Sequence, residues 1–453
     1  MSLNKLMKQQ YEEYEAKTRR SREMYLNARN YMPGGDTRSV AYFKPYPLFV
    51  ERAEGCRLYD VDGNVYLDFL NNYTALVHGH SHPRIVKAIR EQLDKGWLYA
   101  AGIESQYRLA KILCERFPSV RRVRFCNSGT EATMMAIRAA RAYTGKSKIL
   151  KMEGGYHGSH PLLDVSVNPG IDRVGPIDKP LSIPEGPGIP EGIVRDVLVA
   201  PFNNKDATEK IIRENRDELA AVIVEPMMGV AGMIPPRDNY LKFLREITLQ
   251  YDILLIFDEI ITARLSRGGG QEYFNVTPDL TCLGKIIGGG LPIGAFGGRE
   301  DIMDLFSPER EGFIPHSGTF NGNALAMVAG IASMEELTAS AIEKINTLGS
   351  FLRDGIEKIF EEEGVAGQVT GLGSLYNIHF TNVEIIDYRT ASTSSREARA
   401  LLHIALINKG IFTAKRGMFN LSTVMTRREI DEFINSLRSC IQLLKPCLPR
   451  ATK

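Results

Sequence analysis

Asp258 and Lys285 are the two residues whose chemistry is most readily combined. Asp258, with Glu259 behind it, ends the apolar run 253–257, the pattern of a strand buried on both faces as it emerges at the carboxyl edge of a parallel sheet. Lys285 follows after a second short apolar run, flanked by Gly284 and by Gly288, Gly289 and Gly290. Open α/β sheets hold their ligands at that edge. An acid at a strand end and an amine in a glycine-rich turn suit a ligand that needs a negative partner at one end and an amine at the other. Singly, each half has another reading, since nucleotide hydrolases also end strands in Asp-Glu and Gly-Lys pairs are common.

More polar groups stand at the ends of apolar runs. Ser128, Gly129 and Thr130 separate run 123–126 from the helix-forming stretch MMAIRAARAY. Free backbone N–H groups and the positive end of a helix dipole would meet there, as a phosphate requires; Ser128 equally suits a helix cap. Tyr156 and His157 follow Gly154 and Gly155 after run 149–152. The glycines leave room for a planar ring to stack on Tyr156, worth roughly 0.5–1.5 kcal/mol beyond its burial, although core packing also explains a tyrosine there. Glu225 ends run 221–224, either as a structural hydrogen-bonding group or within reach of a bound amine. Thr319, in loop 316–321, is a further candidate for phosphate contact, and 294–298 reads as a second glycine-rich loop. Pyridoxal phosphate unites these needs: a lysine Schiff base, an acid at the ring nitrogen, a stacking ring and a phosphate cradle. The glycine-lysine signature of nucleotide hydrolases is missing.

The elements that must position these groups follow the same rhythm. Apolar runs at 123–126, 149–152, 197–200, 221–224, 253–257 and 280–283 alternate with helix-period stretches, which predicts an α/β fold with a mostly parallel sheet flanked by helices. We expect a helical arm and part of a small domain over 1–78, a large cofactor-binding domain over 79–332, and the rest of a small α+β domain over 333–453. A chain of 453 residues is long enough for such division. With 43% hydrophobic and 24% charged residues it reads as a globular enzyme-like protein, and a net charge of +2 gives no reason to expect nucleic acid or an anionic membrane as partner. The absence of a long apolar stretch or a signal-like N-terminus points to the cytoplasm. Six irregularly spaced cysteines suggest neither a metal site nor a disulfide framework.

The motifs NSGTEA (127–132), GGYHG (154–158), VEP (224–226), FDEI (257–260), LGK (283–285) and SGTF (317–320) resemble those of the class III (subgroup II) aminotransferases, over roughly residues 30–445. The resemblance implies the fold-type I architecture of pyridoxal-phosphate enzymes and a homodimer with shared active sites. By the same resemblance, Lys285 carries the cofactor, Asp258 pairs with the ring nitrogen, and Tyr156 and Ile260 pack on the two ring faces, with His157 as a further cofactor contact. Ser128, Gly129 and Thr130 hold the phosphate, and Thr319 reaches the neighbouring subunit's phosphate. YMPG (31–34), TRSV (37–40), YTALVHGHS (73–81) and KRGM (415–418) are most similar to the β-amino-acid aminotransferases and, more distantly, to the glutamate-1-semialdehyde aminomutases. That implies carboxylate binding by Arg38 and Arg416, whose guanidinium forks match such groups. The proline- and glycine-rich insert 171–192 departs from the subgroup.

Together with the chemistry of these residues, the resemblance implies amino transfer from an amino acid, a β-amino acid by preference, to a keto acid such as 2-oxoglutarate or pyruvate in ping-pong order. Lys285 then acts as general base and acid, with Glu225 as a third catalytic group. Intramolecular transfer of the aminomutase kind is the same-fold alternative. A non-catalytic phosphate-ligand binding protein is the alternative from another class.

Overall fold

In a computed structural model that describes residues 2–451, the chain divides into two units. The first comprises Met1–His82, Lys344–Glu384 and Thr393–Lys453; the second comprises Pro83–Glu343 with Ile385–Ser392. Among the described residues no single helix is long and apolar enough to cross a membrane.

The second unit is built on a seven-stranded sheet. Its strands lie in the order Arg122–Cys126, Gly294–Gly298, Leu280–Gly284, Leu254–Asp258, Leu219–Val224, Lys148–Met152, Val197–Ala200. Leucine, isoleucine and valine fill the central strands because both faces are covered; every residue of Leu219–Val224 and of Leu254–Asp258 is buried. Pairing is parallel from Leu280–Gly284 through Val197–Ala200, so these chain ends emerge along one edge.

Gly294–Gly298, expected as a loop, is a strand that runs antiparallel to both of its neighbours. Its glycines conceal the strand pattern because they answer to close backbone approach, not to a turn. A Cβ on Gly294 would stand 1.9 Å from the Ser128 carbonyl oxygen, and one on Gly298 would stand 2.2 Å from that of Asp279. The strand thereby lies against the start of the helix Gly129–Thr144.

The first unit holds a four-stranded sheet formed by Val50–Glu54, Arg57–Asp60, Val65–Asp68 and Ile411–Phe412, and a three-stranded one formed by Gly367–Leu372, Leu375–Phe380 and Met418–Asn420. Both ends of the chain thus contribute to one core, where Leu67 and Phe69 pack with Leu401, Ile411 and Phe433. The N-terminal arm is two helices, Leu3–Lys17 and Arg19–Ala28, because Thr18 turns its hydroxyl back onto the Tyr14 carbonyl (2.7 Å) and leaves helical geometry. The large unit runs to Glu343, past the expected limit of 332, and takes in the whole helix Ala324–Glu336, which packs Ala329 and Ala332 against Ile85. It also takes back Ile385–Ser392, whose Ile385 and Ala391 join the core beside Leu150 and Phe257.

Replacing Gly294 with Ala should lower the melting temperature, as overpacking costs about 1–3 kcal/mol, whereas Gly186→Ala, where a Cβ meets open space, should not. Equal melting curves for the two variants in a thermal scan would contradict the close-approach reading.

Candidate active site

Asp258 ends its strand 3% exposed. An acid this deep needs donors. One oxygen pairs with the Nδ1 of His157 at 2.9 Å and the other accepts from the Ile260 N–H at 3.2 Å. Burial holds the His157 imidazole below its ordinary range against the pull of Asp258. The next residue, Glu259, serves the fold: it accepts from the N–H groups of Gly270 and Gln271 and from the Thr262 hydroxyl.

Glu225 ends the adjacent strand and is also buried. It accepts from the Tyr156 N–H at 3.2 Å and the Gly229 N–H at 3.0 Å. Burial, then the neighbouring Asp258, push its carboxyl up to about 7, while those two N–H groups and Lys285 pull it down. Asp258 and Lys285 thus act on the Glu225 carboxyl in opposite senses, on top of the larger effect of burial.

Lys285 opens the turn Lys285–Gly288 directly after its strand, at φ 50. A side chain other than glycine in that left-handed region costs of order 1–3 kcal/mol, and such strain gathers at functional sites. Ile260 lies between this turn and the phosphate candidates. A Cβ on Gly129 would meet its Cδ1 at 2.5 Å, and one on Gly284 would meet its Cγ1 at 3.6 Å.

Ser128 caps the helix Gly129–Thr144 by accepting from the Glu131 N–H, so the capping reading of this serine holds. The helix still presents its N-terminal dipole at Gly129 and Thr130. Thr130 sits under Gly158, and its hydroxyl accepts from the Ser159 N–H at 3.2 Å. Tyr156 keeps 37% of its surface exposed. Thr319 is exposed, in a loop fastened to this region by Asn127 donating to Asn321 at 2.8 Å.

Asp258, His157, Glu225, Lys285, Ile260, Tyr156, Ser128, Gly129 and Thr130 therefore gather at one sheet edge. They fit pyridoxal phosphate: an amine, an acid with its own donor, a partly exposed tyrosine and a helix start closed in by glycines.

Arg38 and Arg416 belong to the other unit, where they flank Tyr73, their guanidinium carbons 5.8 and 5.6 Å from its ring centroid. Arg38 also donates to Asn72 at 2.8 Å and lines a cavity of about 400 Å³ with Tyr42, Leu58 and His403. Asn71 to Thr74 all have positive φ, a second focus of strain.

Sequence reasoning passed over Lys151, Glu153 and Arg389. Lys151 is wholly buried and donates to the Leu163 carbonyl at 3.4 Å; burial lowers its ammonium to about 7. Its place in a strand of ordinary β pattern gave no signal. Arg389 meets Glu153 236 residues away in sequence, which local pattern cannot reveal.

Residues 40–441 match the model of the family described as aminotransferase class-III. A glutamate-1-semialdehyde 2,1-aminomutase of Methanocaldococcus jannaschii is 44% identical over 87% of this chain and 90% of its own length. Among solved structures, an omega-transaminase from Sphaerobacter thermophilus has a TM-score of 0.89 at 44% identity, covering 93% of this chain and 97% of its own. A β-phenylalanine aminotransferase from Variovorax paradoxus has a TM-score of 0.90 at 36% identity, covering 100% of both chains.

Because the folded Glu225 carboxyl lies at about 7, above its ordinary 4.5, its contribution to stability is full below about 4.5 and is lost as pH rises through about 7. In cofactor-free protein, the stability of wild type relative to Glu225→Gln should therefore fall across that window. Parallel melting temperatures for the two proteins over the window would contradict the assignment.

Proposed function

Given that the chain belongs to the class-III aminotransferases, pyridoxal-phosphate enzymes by the bound forms of its relatives, we propose that it moves an amino group between neighbouring carbons of one carboxylate-bearing substrate, in the manner of glutamate-1-semialdehyde 2,1-aminomutase. What supports this reading is the agreement of the curated relatives: proteins of that name align at 40–44% identity along most of their length. The β-amino-acid transaminase expected from the motifs takes second place. Its support is the likeness to the two transaminase structures and the pair of arginines around Tyr73.

When bound, the cofactor supplies an electron sink for the carbon that loses its proton. In either reading the chain's own residues share the same work. Asp258, oriented by the His157 Nδ1 and the Ile260 N–H, would hold the proton on the ring nitrogen. Tyr156 and Ile260 would pack on the two faces of the cofactor's ring. The helix start at Gly129, with Thr130, takes the phosphate charge. Lys285 would hold the cofactor through its amine and, once that amine is free, would carry a proton at its Nζ to and from the substrate carbon that bears the amino group. Glu225, whose carboxyl is pushed up to about 7 by burial, would be able to give or take a proton near neutral pH, with Asp258 and Lys285 both acting on its charge.

Arg38 and Arg416 bind carboxylate. Two copies of the chain share their sites, Thr319 of each reaching the other's phosphate. Exposed Trp97, Leu98, Tyr99 and Phe320 support such an apolar contact.

The two readings separate on the need for a second substrate. Glutamate-1-semialdehyde alone should turn over to its isomer, with no rate gain from added 2-oxoglutarate or pyruvate. Strict dependence on a keto acid, with a β-amino acid as donor, would replace the first reading with the second. In both, Arg416→Ala should raise KM for carboxylate-bearing substrate at least about tenfold, the loss of ~1.4 kcal/mol, and leave an amine without a carboxylate little changed. Equal effects on the two substrates would remove Arg416 from recognition.

A further inference from the structure

The loop that carries Tyr156 and His157 begins Glu153-Gly154-Gly155. Two consecutive glycines leave such a loop conformationally free, so its defined path must come from contacts outside it. The Glu153 N–H donates to the Ala200 carbonyl at 2.8 Å and the Gly154 N–H to the Ser166 carbonyl at 2.8 Å. The Glu153 side chain, 1% exposed, is held by Arg389 in a two-pronged pair: Nε to one oxygen at 2.7 Å and Nη2 to the other at 3.0 Å. Gly154, at φ 81, lies under the Tyr388 ring, where a Cβ would meet Cδ2 at 2.5 Å.

Arg389 and Tyr388 come from Ile385–Ser392, the short piece of the C-terminal region that belongs to the catalytic unit. Its turn is itself rigid. Asp387 accepts from the Thr390 N–H at 2.8 Å and hydroxyl at 2.7 Å, while the Thr390 hydroxyl oxygen accepts from the Asp387 N–H at 3.0 Å. The same guanidinium donates through Nη1 to the Gly175 carbonyl at 2.9 Å, and the Tyr388 hydroxyl donates to the Pro169 carbonyl at 2.6 Å. One short turn therefore grips both the start of the Tyr156 loop and the root of the insert 171–192.

We propose that Arg389 is a positioning residue for the cofactor: through Glu153 it sets the path of the Gly154–Gly155 loop, and hence the angle of the Tyr156 ring and the seat of His157 on Asp258. It also ties that setting to the insert by way of Gly175. Arg389 touches none of the reacting groups, and its effect passes through the loop. A lysine in its place supplies charge at a point, without the fork that serves two carboxylate oxygens and a carbonyl together.

The test uses full-length chain stripped of cofactor and refilled with pyridoxal phosphate. Three readouts are taken on wild type, Arg389→Gln, Arg389→Lys and Glu153→Gln: the dissociation constant of the cofactor, visible circular dichroism per bound cofactor, and melting temperature. Dichroism reports how the ring sits in its asymmetric surroundings, which a purely structural contact would not alter. Arg389→Gln and Glu153→Gln should bind the cofactor about tenfold more weakly, ~1.4 kcal/mol, with dichroism per bound cofactor cut by about half. Arg389→Lys should lie between these and wild type. Wild-type affinity and dichroism in a folded Arg389→Gln, whatever its melting temperature, would overturn the proposal; if that variant does not fold, the same result in Glu153→Gln overturns it. Failure of the wild type to bind pyridoxal phosphate at all would instead contradict the cofactor assignment, a distinct outcome.

Discussion

Two carboxyl groups, Asp258 and Glu225, share the buried edge of one sheet, and the rest of the site is arranged to supply them with donors. Buried acids without partners cost several kcal/mol, so each must be met by an N–H or a cation. Asp258 takes His157 and its own downstream backbone; Glu225 takes the backbone of Tyr156 and Gly229. The consequence is mechanical as well as electrostatic. Both acids reach back to the same glycine-rich loop, so the backbone that carries Tyr156 and the His157 ring is tied to the groups that supply the site's charge. Glu259, one residue from Asp258, shows the contrast: fully furnished with donors from Gly270, Gln271 and Thr262, it braces the fold.

Strain marks the same places. Lys285 adopts a left-handed backbone at the start of its turn, and Asn71 to Thr74 do so around Tyr73, where Arg38 and Arg416 converge. Conformations that cost of order 1–3 kcal/mol each persist only where surroundings over-determine them. In the catalytic unit those surroundings are the buried strands on which Asp258 and Lys285 end, packed by Leu255, Phe257 and Leu283 to zero exposure. Stability spent in the core thus holds reactive groups in positions they would not choose alone.

Much of this was legible in the sequence, because strand ends announce themselves. A run such as 253–257 that stops in Asp-Glu carries both its burial and its edge in one pattern, and six of the seven strands of the large sheet follow from such runs. The seventh, Gly294–Gly298, did not, since its residues are chosen by the carbonyls of Ser128 and Asp279 pressing on it. The break at Thr18 escaped for a related reason: composition favours helix on both sides, and one hydroxyl bond decides otherwise. Ser128 read ambiguously as cap or ligand contact, and the structure shows the cap. Contacts between distant segments were invisible: Arg389 lies in an unremarkable Asp-Tyr-Arg-Thr, and only the fold brings it to Glu153. Substrate choice is the least legible of all, because the motifs around Arg38 and Arg416 lean toward β-amino-acid enzymes while curated relatives lean toward the aminomutase.

We propose that the amine of Lys285 and the acid Asp258 would hold one cofactor from opposite ends. Borohydride reduction of the pyridoxal-phosphate-loaded protein, followed by digestion and peptide mapping, tests it most directly. The pyridoxyl group is predicted on Lys285 alone, at one per chain, with Asp258→Asn still labelled at that position. Label on Lys151 or on any other lysine of the native protein would contradict the account.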